Sequence, residues 1–179
     1  MAPVIRIALL TLAAMTLSVN IFCQPKTAGV SFSYAGTGLT YEHLTSSSTS
    51  VMLQIRTDSV TGFGPKITEP CYAMSAVWNM ISGELISRNG NVIRFMNGPG
   101  LTMGVSNDFM AARGPFAGLA WRFAGECSFS RGIAISISVA PMLGVHLSRV
   151  DDYITMGLFR NGLLYGVMPE VGIKYIFGR

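Results

Sequence analysis

Charge is scarce in this chain. Asp, Glu, Lys and Arg make up 12% of its 179 residues, about half the share of roughly 25% usual in soluble domains. A soluble chain so poor in charge has difficulty covering its surface. Long apolar runs are missing too. Beyond the N-terminus, no stretch reaches the roughly 20 residues that a membrane-crossing helix needs, which excludes a helical membrane bundle. The thirteen Lys and Arg exceed the nine Asp and Glu, for a formal charge of +4. The basic residues stand singly, with no cluster and no aromatic stacking motif, so nucleic acid is not an expected partner. Three cysteines and two histidines give no metal-ligand spacing. Asn97-Gly98-Pro99-Gly100 is no phosphate loop, because neither a helix start nor Lys-Ser/Thr follows it. No metal and no cofactor is expected.

What the chain has instead is alternation. Hydrophobic residues are 50% of the total, and 20 glycines lie between and among them. In residues 131–147, Ile133, Ile135, Ile137 and Val139 alternate with Ala134, Ser136, Ser138 and Ala140. Period two is the period of a strand, because successive side chains leave opposite faces. One face is large and branched, the other small and partly polar. Similar segments cover 51–56, 72–80, 93–105, 118–124, 153–159 and 163–177. An eighth runs from Val30 to His43 and changes phase at Gly36-Thr37-Gly38, as a glycine-rich bulge would make it do. Arg88-Asn89-Gly90 and Arg160-Asn161-Gly162 carry the Asn-Gly signal of a type I′ hairpin turn. Residues 58–70, 106–114 and 148–152 read as loops. The expected fold is all-β: an eight-stranded antiparallel up-and-down barrel crossing a membrane.

Residues 1–23 read as a cleaved signal peptide, with Arg6 as the basic start and 7–22 as the apolar region. Residues 24–179 are then the barrel domain, exported to the outer membrane. Cys23 raises a lipoprotein reading, against which Phe22 stands where a small residue is wanted. The mature chain keeps Cys71 and Cys127. The strand order puts them near opposite ends of the barrel, too far apart for a disulfide.

Charges within strands fall in the small-residue phase: Glu42, Arg56, Arg94, Arg122, Glu126, Glu170 and Lys174. Arg or Lys on a lipid face at mid-membrane costs about 2–4 kcal/mol. An eight-stranded barrel has no room for a wide water channel, so these seven are expected to form a paired polar network inside it. Tyr34, Tyr41, Trp78, Trp121, Phe123, Tyr175 and Phe177 are candidates for aromatic girdles at the two interfaces. One feature conflicts with the usual barrel. The short turns follow segments one, three, five and seven, which puts them on the outer side, whereas bacterial barrels keep them on the periplasmic side.

Several segments resemble the outer-membrane β-barrel family widespread in Bacteroidetes-like bacteria, with an OmpA/OmpX-like eight-stranded architecture. Tyr34-Ala-Gly-Thr-Gly-Leu-Thr-Tyr-Glu42 is similar to its glycine-rich first strand, and Gly118-Leu-Ala-Trp-Arg-Phe123 to its glycine-aromatic-arginine strand. Ala140-Pro-Met-Leu-Gly144 resembles its proline-leucine-glycine strand end, and Pro169-Glu-Val-Gly-Ile-Lys-Tyr-Ile-Phe177 its closing strand. The resemblance implies an outer-membrane barrel inserted by the assembly machinery and surrounded by outer-membrane lipid. Family barrels end on an aromatic residue; here Gly178 and Arg179 follow Phe177.

The function expected is structural, adhesive or interaction-based, through loops facing an unidentified surface partner. Two other readings stay open. His146 and Ser148 have the His-x-Ser spacing of outer-membrane lipid A deacylases, and residues two apart on a strand share a face. Asp151 or Asp152 would have to orient that histidine. The third reading is a soluble, lipocalin-like carrier of an apolar ligand.

Overall fold

The computed structural model describes residues 25–61, 66–108, 111–129, 131–150 and 153–178. The expected signal peptide, its cleavage site and Cys23 lie outside the described residues. The chain forms ten strand segments: β1 (Lys26–Phe32), β2 (Gly36–Leu44), β3 (Thr49–Thr61), β4 (Lys66–Ile86), β5 (Val92–Asp108), β6 (Ala111–Ser128), β7 (Ile133–Val139), β8 (Met142–Val150), β9 (Tyr153–Leu158) and β10 (Glu170–Phe177). One short helix, α1 (Arg160–Gly166), separates β9 from β10.

All pairings are antiparallel, and neighbours in sequence are mostly neighbours in space. β10 pairs with β1, and β5 with β6, so the sheet closes on itself. The ten segments fill eight wall positions. β8 continues β7 along the same face of β6 without a register shift, and β9, α1 and β10 together form the last position. The result is a closed, eight-stranded, up-and-down antiparallel barrel.

The count of eight is as expected, but its partition is not. Residues 30–43 are a hairpin, β1 and β2, not one bulged strand. The Ser33 N–H donates to the Gly36 carbonyl at 2.8 Å and closes a tight turn. The change of phase at Gly36 therefore marks a new strand. Conversely, 153–159 and 163–177 are not two wall strands joined by a hairpin, because Asn161-Gly162 lies within α1. The Asp108 carboxylate at the end of β5 accepts the N–H groups of Arg160 and Asn161 at 3.4 and 3.1 Å. A side chain remote in sequence caps this helix, and local turn propensity gives way to it.

This partition removes the conflict over sides. The turns around 45–48, 87–91 and 129–132 share one end of the barrel with Lys26 and Phe177. At Gly90 and Gly132 the chain adopts positive φ, 76° and 81°. Each ends a three-residue loop, with the ladder closed by Ser87 N–H to Asn91 O and Phe129 N–H to Ile133 O. Arg88-Asn89-Gly90 is thus a three-residue hairpin loop rather than a two-residue type I′ turn. At the other end the expected loops are largely strand. β3 and β4 extend through parts of 58–70, β5 and β6 through parts of 106–114, and β8 to Val150. Residues 62–65, 109–110 and 151–152 lie outside the described residues.

The wall has two faces of opposite character. Ile133, Ile135 and Ile137 point outward, at 44–57% exposure, whereas Ala134, Ser136 and Ser138 are buried. The same alternation holds for Leu101 and Met103 against Thr102, and for Trp121 and Phe123 against Arg122 and Ala124. Along β7 and β8 every outward position from Ile133 to Leu147 is uncharged, between exposed Arg131 and exposed Arg149. Cys71 sits opposite Asp58 in the upper wall and Cys127 opposite Ile93 near the lower turns, and no disulfide joins them.

Candidate functional site in the barrel lumen

The lumen has a polar lower half. Lys174 on β10 reaches across to Glu42 on β2 at 2.6 Å and to Glu126 on β6 at 2.7 Å. All three are at least 95% buried. The second oxygen of Glu42 accepts from the hydroxyl of Ser50 and from Asn79 Nδ2 at 3.0 Å. Asn79 Oδ1 in turn accepts from Arg122 Nη1 at 3.2 Å, and Ser128 donates to Glu126 at 3.4 Å. Two cations and two anions on strands from around the barrel thus hold one another together. Each charge has a counter-charge or polar partners, as burial requires.

The other three of the seven charged positions lie apart from this cluster. Arg56 turns to Asp58 on its own strand at 3.0 Å. Glu170 accepts from Gln54 Nε2 at 2.8 and 3.0 Å, and Gln54 also donates to Ser31. Arg94 pairs with Glu84 at 2.8 Å at the lower mouth, where both are partly solvated. The charge pattern alone does not point to Ser50, Asn79 or Gln54. Their signal is a polar amide or hydroxyl in the inward phase of an otherwise apolar strand, a place where asparagine in particular is disfavoured. Asp58 escapes notice because 58–70 reads as a loop.

The upper half is different. Ala73, Phe116, Ala120, Met142 and Phe159 form a buried apolar cluster, and Phe116 and Phe159 stack at 4.3 Å. These side chains point inward, where a membrane barrel is normally polar. Beside them lies a cavity with about 60 Å³ of space open to water, bordered also by Gln54, Asn161, Tyr165 and Glu170. The helix α1 forms one side of it. Gly162 and Gly166 let α1 sit directly on the β7–β8 junction: a Cβ on Gly166 would meet the Ala140 carbonyl at 2.4 Å. The Ala140 N–H donates to the Gly166 carbonyl at 2.7 Å, so helix backbone takes the place of a neighbouring strand. Pro141, which has no N–H to give to a ladder, is tolerated at this break.

His146 and Ser148 both face inward and are buried. They do not bond to each other. His146 Nε2 lies 3.0 Å from the Ser106 carbonyl, which can only accept, so that nitrogen carries the proton. The ring also stacks on Phe159. The Ser148 hydroxyl bonds to that of Thr155 at 2.8 Å. With Nε2 protonated, the basic nitrogen of the neutral ring is Nδ1, but the Ser148 hydroxyl is engaged by Thr155 and not by that nitrogen, so the spacing alone does not assemble a nucleophile and its activator. Asp151 and Asp152 lie outside the described residues. No protein-family model, no curated protein and no solved structure matches this chain.

Proposed function

We propose that the chain is an outer-membrane β-barrel of the type found in Bacteroidetes-like bacteria, exported by its N-terminal signal peptide and inserted by the outer-membrane assembly machinery. Its role in this reading is structural, adhesive or interaction-based, carried by the ends of the long hairpins β3–β4, β5–β6 and β8–β9. One observation carries the proposal: along β7 and β8 every outward position between exposed Arg131 and exposed Arg149 is uncharged, while the ionic cluster of Lys174, Glu42, Glu126 and Arg122 lies inside. From Ile133 to Leu147 the uncharged wall rises roughly 35 Å after allowing for strand tilt. That accommodates the ~25 Å lipid-facing band of such barrels and an interfacial rim. The aromatics support the same reading. Tyr175 and Phe177 lie towards the turn end and Tyr34 and Tyr72 towards the other, all outward and exposed, as expected of interface anchors. A soluble carrier would present polar side chains at these outward positions and keep its apolar ones within.

The test is fractionation combined with gel mobility. The protein is expected in the outer-membrane fraction, released only by detergent, with a folded form that migrates differently from the boiled one. Recovery from the periplasm without detergent overturns the proposal.

A further inference from the structure

The ionic cluster of Lys174, Arg122, Glu42 and Glu126 balances to zero with Arg122 at the cavity wall, and Arg56, also on that wall, is matched by Asp58. Glu170 is left over. It is part-buried on the cavity wall, and its only partner among the described residues is the neutral amide of Gln54. A carboxylate in such surroundings gains from a cation.

An unmet acceptor lies buried beside the same space. Asn161 is fully buried, and its Nδ2 is committed to the Asn107 carbonyl at 2.7 Å. That bond fixes which end of the amide is which. Its Oδ1 has no donor, and Asn161 lines the cavity. The cavity therefore offers the Glu170 carboxylate beside the apolar surface of Phe116, Met142 and Phe159.

The wall gives a way in. β1 ends at Phe32 and β2 begins at Gly36, whereas β3 continues to Thr61 and β8 to Val150. Among the described residues β9 pairs with β8 alone. The short β1–β2 hairpin thus leaves two strand positions unfilled in the upper wall, and the cavity reaches Ser33 on one side of this gap and Tyr165 on the other. The present space matches roughly four to six water-sized atoms. That suits a head group and the first carbons of a chain whose remainder extends through the gap.

We propose that the upper lumen binds a primary amine carried on an apolar chain, entering sideways above the β1–β2 hairpin, with its ammonium on Glu170 and its chain along the Phe116–Phe159 surface. The ammonium supplies the counter-charge that Glu170 lacks, and the chain covers apolar surface that no wall strand covers. This inference needs the barrel but not its placement in lipid.

Calorimetric titration of the folded protein in a non-ionic detergent tests it, with n-hexylamine, n-hexanoate and n-hexanol as probes. Hexylamine is expected to bind saturably and at least about tenfold more tightly than either other probe, the ratio that one well-placed charged contact supplies. Glu170→Gln should lower its affinity about tenfold, while Glu84→Gln, at the lower mouth, should not change it. Equal affinity for the three probes, no saturable binding, or hexylamine binding that survives Glu170→Gln overturns the proposal. If Glu170→Gln fails to fold, the three-probe comparison on the unmodified protein still decides. Gel mobility of the same sample tells loss of the site apart from loss of the barrel.

Discussion

Lys174 stands between two buried carboxylates, and its removal leaves both without their cation. Lys174→Met is expected to destabilise the barrel by about 3–5 kcal/mol, the usual cost of breaking a buried pair from one side. Glu42→Gln combined with Lys174→Met restores the balance of Glu126 against Arg122. The double variant should therefore lose less than the sum of the two single ones, by about 0.5–3 kcal/mol. Urea titration of the folded form, followed by gel mobility, measures each step; strict additivity would mean that the two groups act independently. Outward positions give the complementary prediction. Ile137 is 57% exposed, so Ile137→Arg is nearly neutral on a wetted wall but costs about 2–4 kcal/mol on one facing lipid. The larger value is expected in vesicles. At this scale much was legible in advance: strict alternation in 131–147 separates Ile137 from Ser136 without any coordinates. What alternation cannot give is which inward charges meet. Lys174 and Glu42 are 132 positions apart, and their meeting depends on how the barrel closes.

Among the elements, β9 and α1 depart most from a regular barrel. Among the described residues β9 is bonded along one edge only, whereas β10 has β1 on one side and β7 on the other. Amide hydrogen exchange should accordingly be faster over β9 than over β10, because the outer row of N–H groups in β9 has no ladder partner. Equal protection would show that its free edge is covered. The helix depends on close backbone approach. Gly166→Val would drive a side chain into the Ala140 carbonyl, lift α1 from the β7–β8 junction and raise exchange across 160–166; unchanged exchange there would contradict the close fit. These two elements were also the hardest to read in the sequence. Asn161-Gly162 carries a strong local turn signal, yet the Asp108 carboxylate, far off in sequence, caps a helix there. The β1–β2 turn was obscured for the opposite reason. Gly36-Thr37-Gly38 is as compatible with a bulge as with a new strand, and only the Ser33–Gly36 bond distinguishes them. The two misreadings cancel in the strand count, so the architecture is right while its sides are not.

For the whole molecule, the division of side chains is what unites sequence and architecture. A chain with 12% charged residues gathers Lys174, Glu42, Glu126 and Arg122 in its lumen and covers most of its outer wall with Ile, Leu, Met, Phe and Trp. That distribution is stable in hydrocarbon and poorly suited to water, where an apolar surface of this extent invites association. The two tryptophans of the chain, Trp78 and Trp121, both lie on this outer wall, 52% and 44% exposed. They allow the unmodified protein to report its own surroundings. The protein would be folded into vesicles whose acyl chains carry bromine, and its tryptophan fluorescence compared with that in unbrominated vesicles. Strong quenching of both tryptophans by the brominated chains is the predicted result; emission unaffected by bromine would contradict it.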